Sequence, residues 1–280
     1  VWSAAVARFA ELDKISSWRR IATAMWPEAR SPQILGFDDM DFTNLHELLD
    51  ELREEFDEKI SVTHFCVKAI GQIFADNPEF NALVIRGKPR KRTTVDVFVQ
   101  VAIKGDSAGG ADLSGVKVKD VDKKTVVEIA AELNTRALKV RKGEDADIEQ
   151  SKRMLDIMPS FVLGGMMRMI DRAMFDFGIN TSAIGVKPDP FGCAMISNCA
   201  GFGVHAGFAP LVPMSRTPLI FLIGRTDLKP VVHDGEIKIR PICRSSGTFD
   251  HRILDGYQIG LISNEFKRYM ENPRTIPNFR

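Results

Sequence analysis

The residues whose types and spacing could do chemistry lie late in the sequence. In "TFDHRILDG", Thr248 to Gly256, a histidine ends a strand-like run, and Asp255 and Gly256 then turn the chain into a helix. A strand end is a rigid platform from which a side chain still reaches a cleft, so His251 is a candidate catalytic group. The same spacing also suits a histidine that merely caps a surface turn. In "FGCAMISNCAGFGVHAGFAP", Ser197 and Asn198 follow a short strand and precede a glycine-rich loop. A serine there could donate a hydrogen bond to a developing oxyanion, or have its hydroxyl satisfied by the turn. Gly201, Gly203 and Gly207 open no obvious helix, which argues against a dinucleotide fingerprint. Cys193, Cys199 and His205 are spaced too loosely for a zinc knuckle, so no metal is expected. The run "RGKPRKR" from Arg86 to Arg92 puts five positive charges around an expected Pro-Gly turn. It reads as a solvated hairpin tip, with a phosphate-bearing ligand or an acidic partner as the alternative. His46 falls on the polar side of a helix and His233 beside a hairpin turn. The methionines of 154–174 read as core or subunit contact.

The elements that must position these groups follow from periodicity. "ILGFDDMDF" reads as a strand. In "NLHELLDELREEF", Leu45, Leu48, Leu49, Leu52 and Phe56 form one apolar stripe, with Asn44 and Glu47 spaced as a capping box. "VTHFCVKAIGQIFADNP" reads as a second helix ended by Asn77–Pro78. Val95 to Ile103 alternates and is β-branched, which predicts a buried strand. Lys123 to Lys142 returns to helical period through Val126, Ala130, Leu133 and Ala137. Met154 to Phe175 predicts one or two apolar helices broken at Pro159 and Gly164–Gly165. "CAMIS", "PLIFLIG" and "PVVH" read as strands, Asp234–Gly235 as a hairpin turn, and "EIKIRPICRSSGTFD" as the returning strand. A last amphipathic helix carries Ile259, Ile262, Phe266 and Met270. Without a βαβ rhythm, the mixture predicts an α/β or α+β fold with a mixed sheet, in one domain.

Composition narrows the class. The 280 residues carry 38 Lys and Arg against 37 Asp and Glu, with 44% hydrophobic and 27% charged residues, as in a folded globular protein rather than a disordered one. A net charge of +1 gives no global attraction to nucleic acid or an anionic membrane. The longest weakly charged apolar stretch, Ile157 to Met167, falls short of the ~20 residues that span a bilayer. No secretory signal is visible, and Cys66, Cys193, Cys199 and Cys243 show no framework spacing, so reduced thiols in a cytoplasmic protein are expected.

The motifs join in one resemblance. "FDHRILDG" resembles the signature of the catalytic core domain of the dihydrolipoyl acyltransferases of 2-oxoacid dehydrogenase complexes, a family that shares its fold with chloramphenicol acetyltransferase. "WRRIATAM", "KISVTHFCVKAIGQIFADNPEFNALV", "DKKTVVEIAAELNTRA", "ISNCAGFGVHAGFAPLV" and "GRTDLKPVVHDGEIKIRP" are similar to further family segments, in family order. The resemblance implies a two-layer mixed sheet with packed helices, assembled as a homotrimer or a multiple of trimers. It implies transfer of an acyl group between coenzyme A and a thiol such as dihydrolipoamide, with other 2-oxoacid dehydrogenase components as partners and no nucleic acid or membrane.

In that chemistry a free thiol, with a pKa near 8.5, is mostly protonated at neutral pH, and a histidine, with a pKa near 6.5, is suited to take its proton. The resemblance implies His251 as the general base, Ser197 as the oxyanion donor, and Asp255 as the partner of an arginine that steadies the histidine's loop. In the family, neighbouring subunits contribute the histidine and the serine. The sequence departs from the pattern in places. The family's opening arginine falls on Trp18 by count, leaving Arg19 or Arg20 as the partner of Asp255. "GGADLSGVKVKDVD" replaces a Gly-Leu-x-x-Pro run. One catalytic domain is expected over 1–280, with a helical insertion at about 145–188 and no lipoyl or peripheral-subunit-binding domain. Two other readings stand beside this one: an idle structural core or adaptor, and a stand-alone acetyltransferase acting on a small alcohol or amine.

Overall fold

Alternation of apolar residues along the strands decides where the core lies. The computed structural model describes residues 32–104, 111–144, 160–184 and 186–280. In chain order they form β1 (Gln33–Asp41), α1 (Thr43–Glu55), α2 (Val62–Asp76), β2 (Ala82–Ile85), β3 (Lys88–Lys91), β4 (Val97–Lys104) and β5 (Ala111–Val118). There follow α3 (Val126–Lys142), α4 (Ser160–Asp171) with a π-helical turn at Arg172–Asp176, β6 (Ala194–Asn198), β7 (Leu219–His233), β8 (Glu236–Asp250) and α5 (Gly256–Glu271). Six strands make one mixed sheet in the order β1-β8-β7-β6-β4-β5, in which β4, β6 and β7 run parallel and the other neighbours antiparallel. The strand-helix mixture and the mixed sheet match the expectation from sequence. No helix among the described residues is long and apolar enough to cross a membrane.

One face of the sheet, with Val97, Val99 and Val101, Ala194 and Ile196, Leu219, Phe221 and Ile223, and Phe249, belongs to the main core cluster. The same cluster holds the inward residues of the helices: Leu45, Leu48, Leu49 and Leu52 of α1, Phe65 and Ile70 of α2, Ile129 and Leu133 of α3, and Ile262 and Phe266 of α5. Each such side chain contributes roughly 1.5–3 kcal/mol on burial. By alternation, Met195 and Ser197, Ile220 and Leu222, and Ser246, Thr248 and Asp250 point to the opposite face. Met195, Ile220 and Leu222 are buried there, outside the main cluster; Ile170 of α4 and Met174 of the π-turn are also buried outside that cluster.

The helix ends show where local sequence rules hold and where tertiary structure overrides them. Thr125 and Glu128 form the capping box that starts α3, and Gly143 ends it in the left-handed region at φ 70°. The expected Asn44–Glu47 box at α1 does not form. The helix begins a residue earlier, Asp41 Oδ1 takes the Thr43 N–H at 2.9 Å, and the Asn44 amide donates instead to the Glu271 carbonyl at the end of α5. Gly164 and Gly165 do not break α4, since a helical glycine costs only about 1 kcal/mol; the irregularity falls at the π-turn. "PLIFLIG" and "PVVH" are one strand, β7, with a bulge between Ile223 and Thr226. β2 and β3 form the expected basic hairpin with Lys88–Lys91 exposed, but it turns at Arg86–Gly87, and Arg92 is buried, its guanidinium on Asp189 at 2.8 and 3.1 Å.

Candidate active site

His251 is the first residue beyond β8 and is exposed to solvent. The turn that presents it is tightly tied. Asp250 N–H donates to the Pro218 carbonyl, and Ile253 and Leu254 N–H both donate to the Asp250 carbonyl, each at 2.9 Å. Leu254 is fully buried and anchors the turn's far side. His251 Nδ1 lies 3.3 Å from the Leu254 carbonyl. With the proton on Nδ1 donated there, Nε2 keeps a lone pair directed outward, the tautomer a general base requires.

Asp255 is the N-cap of α5. Its Oδ1 accepts the Tyr257 N–H at 2.8 Å, and Gln258 Oε1 accepts the Asp255 N–H at 2.9 Å. The aspartate side chain thus caps α5 at the point where the histidine turn enters the helix. The sequence-predicted partners Arg19 and Arg20, with the whole run "WRRIATAM", lie outside the described residues.

Ser197 sits on β6, on the sheet face away from the main core, and is half-buried. Its hydroxyl has one partner among the described residues, Cys199 Sγ at 3.8 Å, and so remains able to donate elsewhere. Asn198 donates to Thr63 Oγ1 at 2.9 Å, linking the strand end to the first turn of α2. The glycine-rich loop beyond is pinned to β7: Cys199 N–H donates to the Ile223 carbonyl and Arg225 N–H to the Val204 carbonyl, both at 2.9 Å. Gly224 permits this approach, because a Cβ there would lie 2.0 Å from the His205 carbonyl oxygen. His205 Nδ1 meets Asp227 at 2.6 Å, with Arg225 on the same carboxylate at 2.9 Å. Sequence spacing missed this cluster, because Asp227 lies across the bulge from the loop.

One chain does not bring Ser197 and His251 together. Ser197 pairs with Leu222, and Leu222 with Ser246, so the serine is level with Ser246 on β8. His251 lies five residues further along, about 16 Å, and two strand spacings to the side, about 10 Å, which places the two Cα atoms about 19 Å apart. A cavity of about 600 Å³ lies elsewhere, between the β7–β8 arm and the end of α5, with Asp39, Lys229, Arg240, Lys267 and Glu271 on its walls and neither His251 nor Ser197.

The thiols are quiet. Burial pushes Cys193 up to about 12 and raises Cys66 and Cys243 as well, so these three stay protonated and weakly nucleophilic. Among the described residues, no group of three or more His, Cys, Asp or Glu is arranged to hold a metal ion.

Comparison with known proteins places these features in context. The family described as 2-oxoacid dehydrogenases acyltransferase (catalytic domain) matches residues 11–154 and 191–277. The dihydrolipoyllysine-residue acetyltransferase component of the pyruvate dehydrogenase complex of Bacillus subtilis is 25% identical over 269 residues, 94% of this chain and 51% of that protein. The Zymomonas mobilis protein of the same name is 24% identical over 268 residues, 94% of this chain and 50% of its own length. The chain thus spans about half the length of these curated relatives. Among solved structures, a probable dihydrolipoamide acetyltransferase from Listeria monocytogenes superposes with a TM-score of 0.62 at 18% identity, over 95% of both chains. The dihydrolipoamide acetyltransferase of Azotobacter vinelandii gives 0.62 at 18%, over 99% of this chain and 98% of that one. At this identity the superpositions establish a shared fold.

Proposed function

The chain belongs to the 2-oxoacid dehydrogenase acyltransferase (catalytic domain) family, and from that premise we propose that it moves an acyl group between coenzyme A and a thiol such as dihydrolipoamide, with His251 as general base. The observation that carries this reading is the His251 turn: an exposed imidazole at a rigid strand end, with Nδ1 against a carbonyl and Nε2 open to the acceptor thiol. His251 Nε2 removes the acceptor's proton as the thiol attacks the thioester, then returns a proton to the leaving thiolate. The Ser197 hydroxyl, with only the Cys199 sulfur as a partner among the described residues, donates to the oxygen on which charge develops, a contact typically worth ~3 kcal/mol of barrier. Burial keeps Cys66, Cys193 and Cys243 protonated, which supports direct transfer without an acyl-enzyme on those three thiols.

The separation of about 19 Å within one chain supports a site completed between copies, with His251 from one subunit and Ser197 from its neighbour. A homotrimer, or a multiple of trimers, satisfies this by repeating one head-to-tail contact around a ring. An apolar row on one face of the β7–β8 arm supports assembly too: Leu228, Val232, Ile237 and Ile239 are 74, 76, 79 and 72% exposed. Ordinary monomers rarely show such a patch. The unmatched stretch between residues 154 and 191 supports reading that region as an insertion into a single catalytic domain. Within a 2-oxoacid dehydrogenase complex the chain would be the acyl-transferring core, with the lipoyl group as a substrate carried elsewhere.

The test is release of free coenzyme A from acetyl-, succinyl- and branched-chain acyl-CoA, with and without dihydrolipoamide, in wild type and His251→Ala. Release that requires both dihydrolipoamide and His251 is expected. Turnover unaffected by His251→Ala would defeat the assignment, and release with none of these donors would leave an unusual acceptor, such as a small alcohol or amine, or the idle-core reading, which a coenzyme A binding test would divide.

A further inference from the structure

His251 is flanked in sequence by two opposite charges that hold each other. Arg252 grips Asp250 through two guanidinium nitrogens, Nη2 to Oδ2 at 2.6 Å and Nε to Oδ1 at 2.9 Å, and Arg252 N–H also donates to Oδ1 at 3.0 Å. The Asp250 side chain is only 5% exposed, while that of Arg252 is 53% exposed. Asp250 is thus a nearly buried carboxylate whose side-chain partner is the arginine on the far side of the histidine. Its backbone is clamped as well, by the Pro218 carbonyl on one side and by the Ile253 and Leu254 amides on the other. The Asp250 contact holds the Arg252 guanidinium more firmly protonated than usual.

We propose that the Asp250–Arg252 ion pair is a positioning bracket for His251: it fixes the turn that presents the imidazole, and it sets two opposite charges on the residues either side of His251, so that losing one leaves the other unbalanced there. This rests on the acyl-transfer reading. A base that becomes an acid within one turnover works best when both forms are accessible at the working pH. Asp250 alone would favour the imidazolium, and Arg252 alone would oppose it. Among the described residues, charges near this turn include Asp255, engaged as the cap of α5, and Arg216, which is felt at Arg252 but is itself paired with Asp171 and Asp176. Neither varies in the test.

The bracket makes a prediction of opposite signs that a purely structural role does not. Arg252→Gln keeps a hydrogen-bond donor for Asp250 but leaves its negative charge unbalanced, and the acidic limb of the kcat/KM profile moves up by roughly half a pH unit. Asp250→Asn leaves the arginine's charge unbalanced, and the limb moves down by about the same amount. The double variant restores the wild-type limb, while kcat stays roughly tenfold or more below wild type because the turn is no longer held. The His251 C2 proton, assigned by its loss in His251→Ala and titrated by NMR in the intact protein, gives the same two shifts without any turnover. Shifts of the same sign in both single variants, or none in either, would overturn the bracket. If Asp250→Asn fails to fold, the upward shift in Arg252→Gln decides alone. Wild-type protein inert towards every donor would sink the acyl-transfer reading, while the NMR titration would still judge the bracket.

Discussion

A site shared between copies predicts complementation between two inactive variants. His251→Ala chains keep Ser197, and Ser197→Ala chains keep His251. If one chain carried a whole site, no mixture of the two could work, because every site would lack one group. With the groups about 19 Å apart in a chain and supplied by neighbours in a ring, the outcome differs. Each contact of a cyclic trimer joins the histidine face of one copy to the serine face of the next. A contact is intact only when a Ser197→Ala chain gives the histidine and a His251→Ala chain gives the serine. Random mixing of equal amounts makes about one contact in four intact, and every mixed trimer holds one good contact in three, so about a quarter of wild-type activity returns overall and about a third in purified mixed trimers. The experiment co-refolds the variants under two affinity tags, isolates doubly tagged protein, and measures coenzyme A release with dihydrolipoamide as acceptor. The background is low, since loss of an oxyanion donor costs ~10²–10³ in kcat. Doubly tagged trimers no more active than the separate variants would refute the shared site.

Further predictions follow from other residues. His64 is buried and accepts the Ser61 N–H on Nδ1 at 3.0 Å, and burial lowers its pKa from 6.5 to about 4. The unfolded chain therefore binds the proton first, so the stability is present above pH 6.5 and falls by about 3 kcal/mol as pH drops towards 4. Urea titrations at several pH values should show this loss, and His64→Gln, which can still accept the amide, should remove that part of it; identical pH dependence in both proteins would count against it. Leu228→Asp combined with Ile239→Asp, on the arm's apolar face, should give folded but smaller and inactive particles by light scattering, and unchanged particle size would exclude the arm from assembly. Arg216 anchors α4 and its π-turn through Asp171 and Asp176 at 2.7 and 2.8 Å, so Arg216→Ala should lower stability by about 2 kcal/mol in chemical denaturation, whereas no change would mean that this helix is held by other contacts.

Much of the fold was legible because local pattern and tertiary structure agree. The leucine stripe of α1, the alternation of β4 and the Asp234–Gly235 turn all stand as their residues imply, the last with φ of 55° and 79°. Where they fail, a distant partner decides. Asn44 leaves its own helix end to satisfy Glu271, 227 residues away, and Arg92 leaves the solvated hairpin for Asp189, 97 residues away. The histidine turn was readable because Asp255 and Gly256 are local signals for a helix start. The distance from Ser197 to His251 was not, because it depends on the registers of three strands that meet only in the folded sheet.

The placement of β1 bears on how the chain reaches its folded state. The strand at Gln33–Asp41 lies at the sheet edge and finds its partner in β8; Arg244 and Asp39, which close that pairing, are 205 residues apart. Closure of such a loop is entropically slow, and during synthesis the early strand must wait until nearly the whole chain has emerged. Meanwhile its unpaired edge is a template for other strands, and the arm's exposed apolar row adds a second surface on which unfinished chains can associate. Expression yield is therefore governed by a race between late sheet closure and aggregation. Slower synthesis at lower temperature or added holdase chaperone favours the native assembly without changing a single native contact.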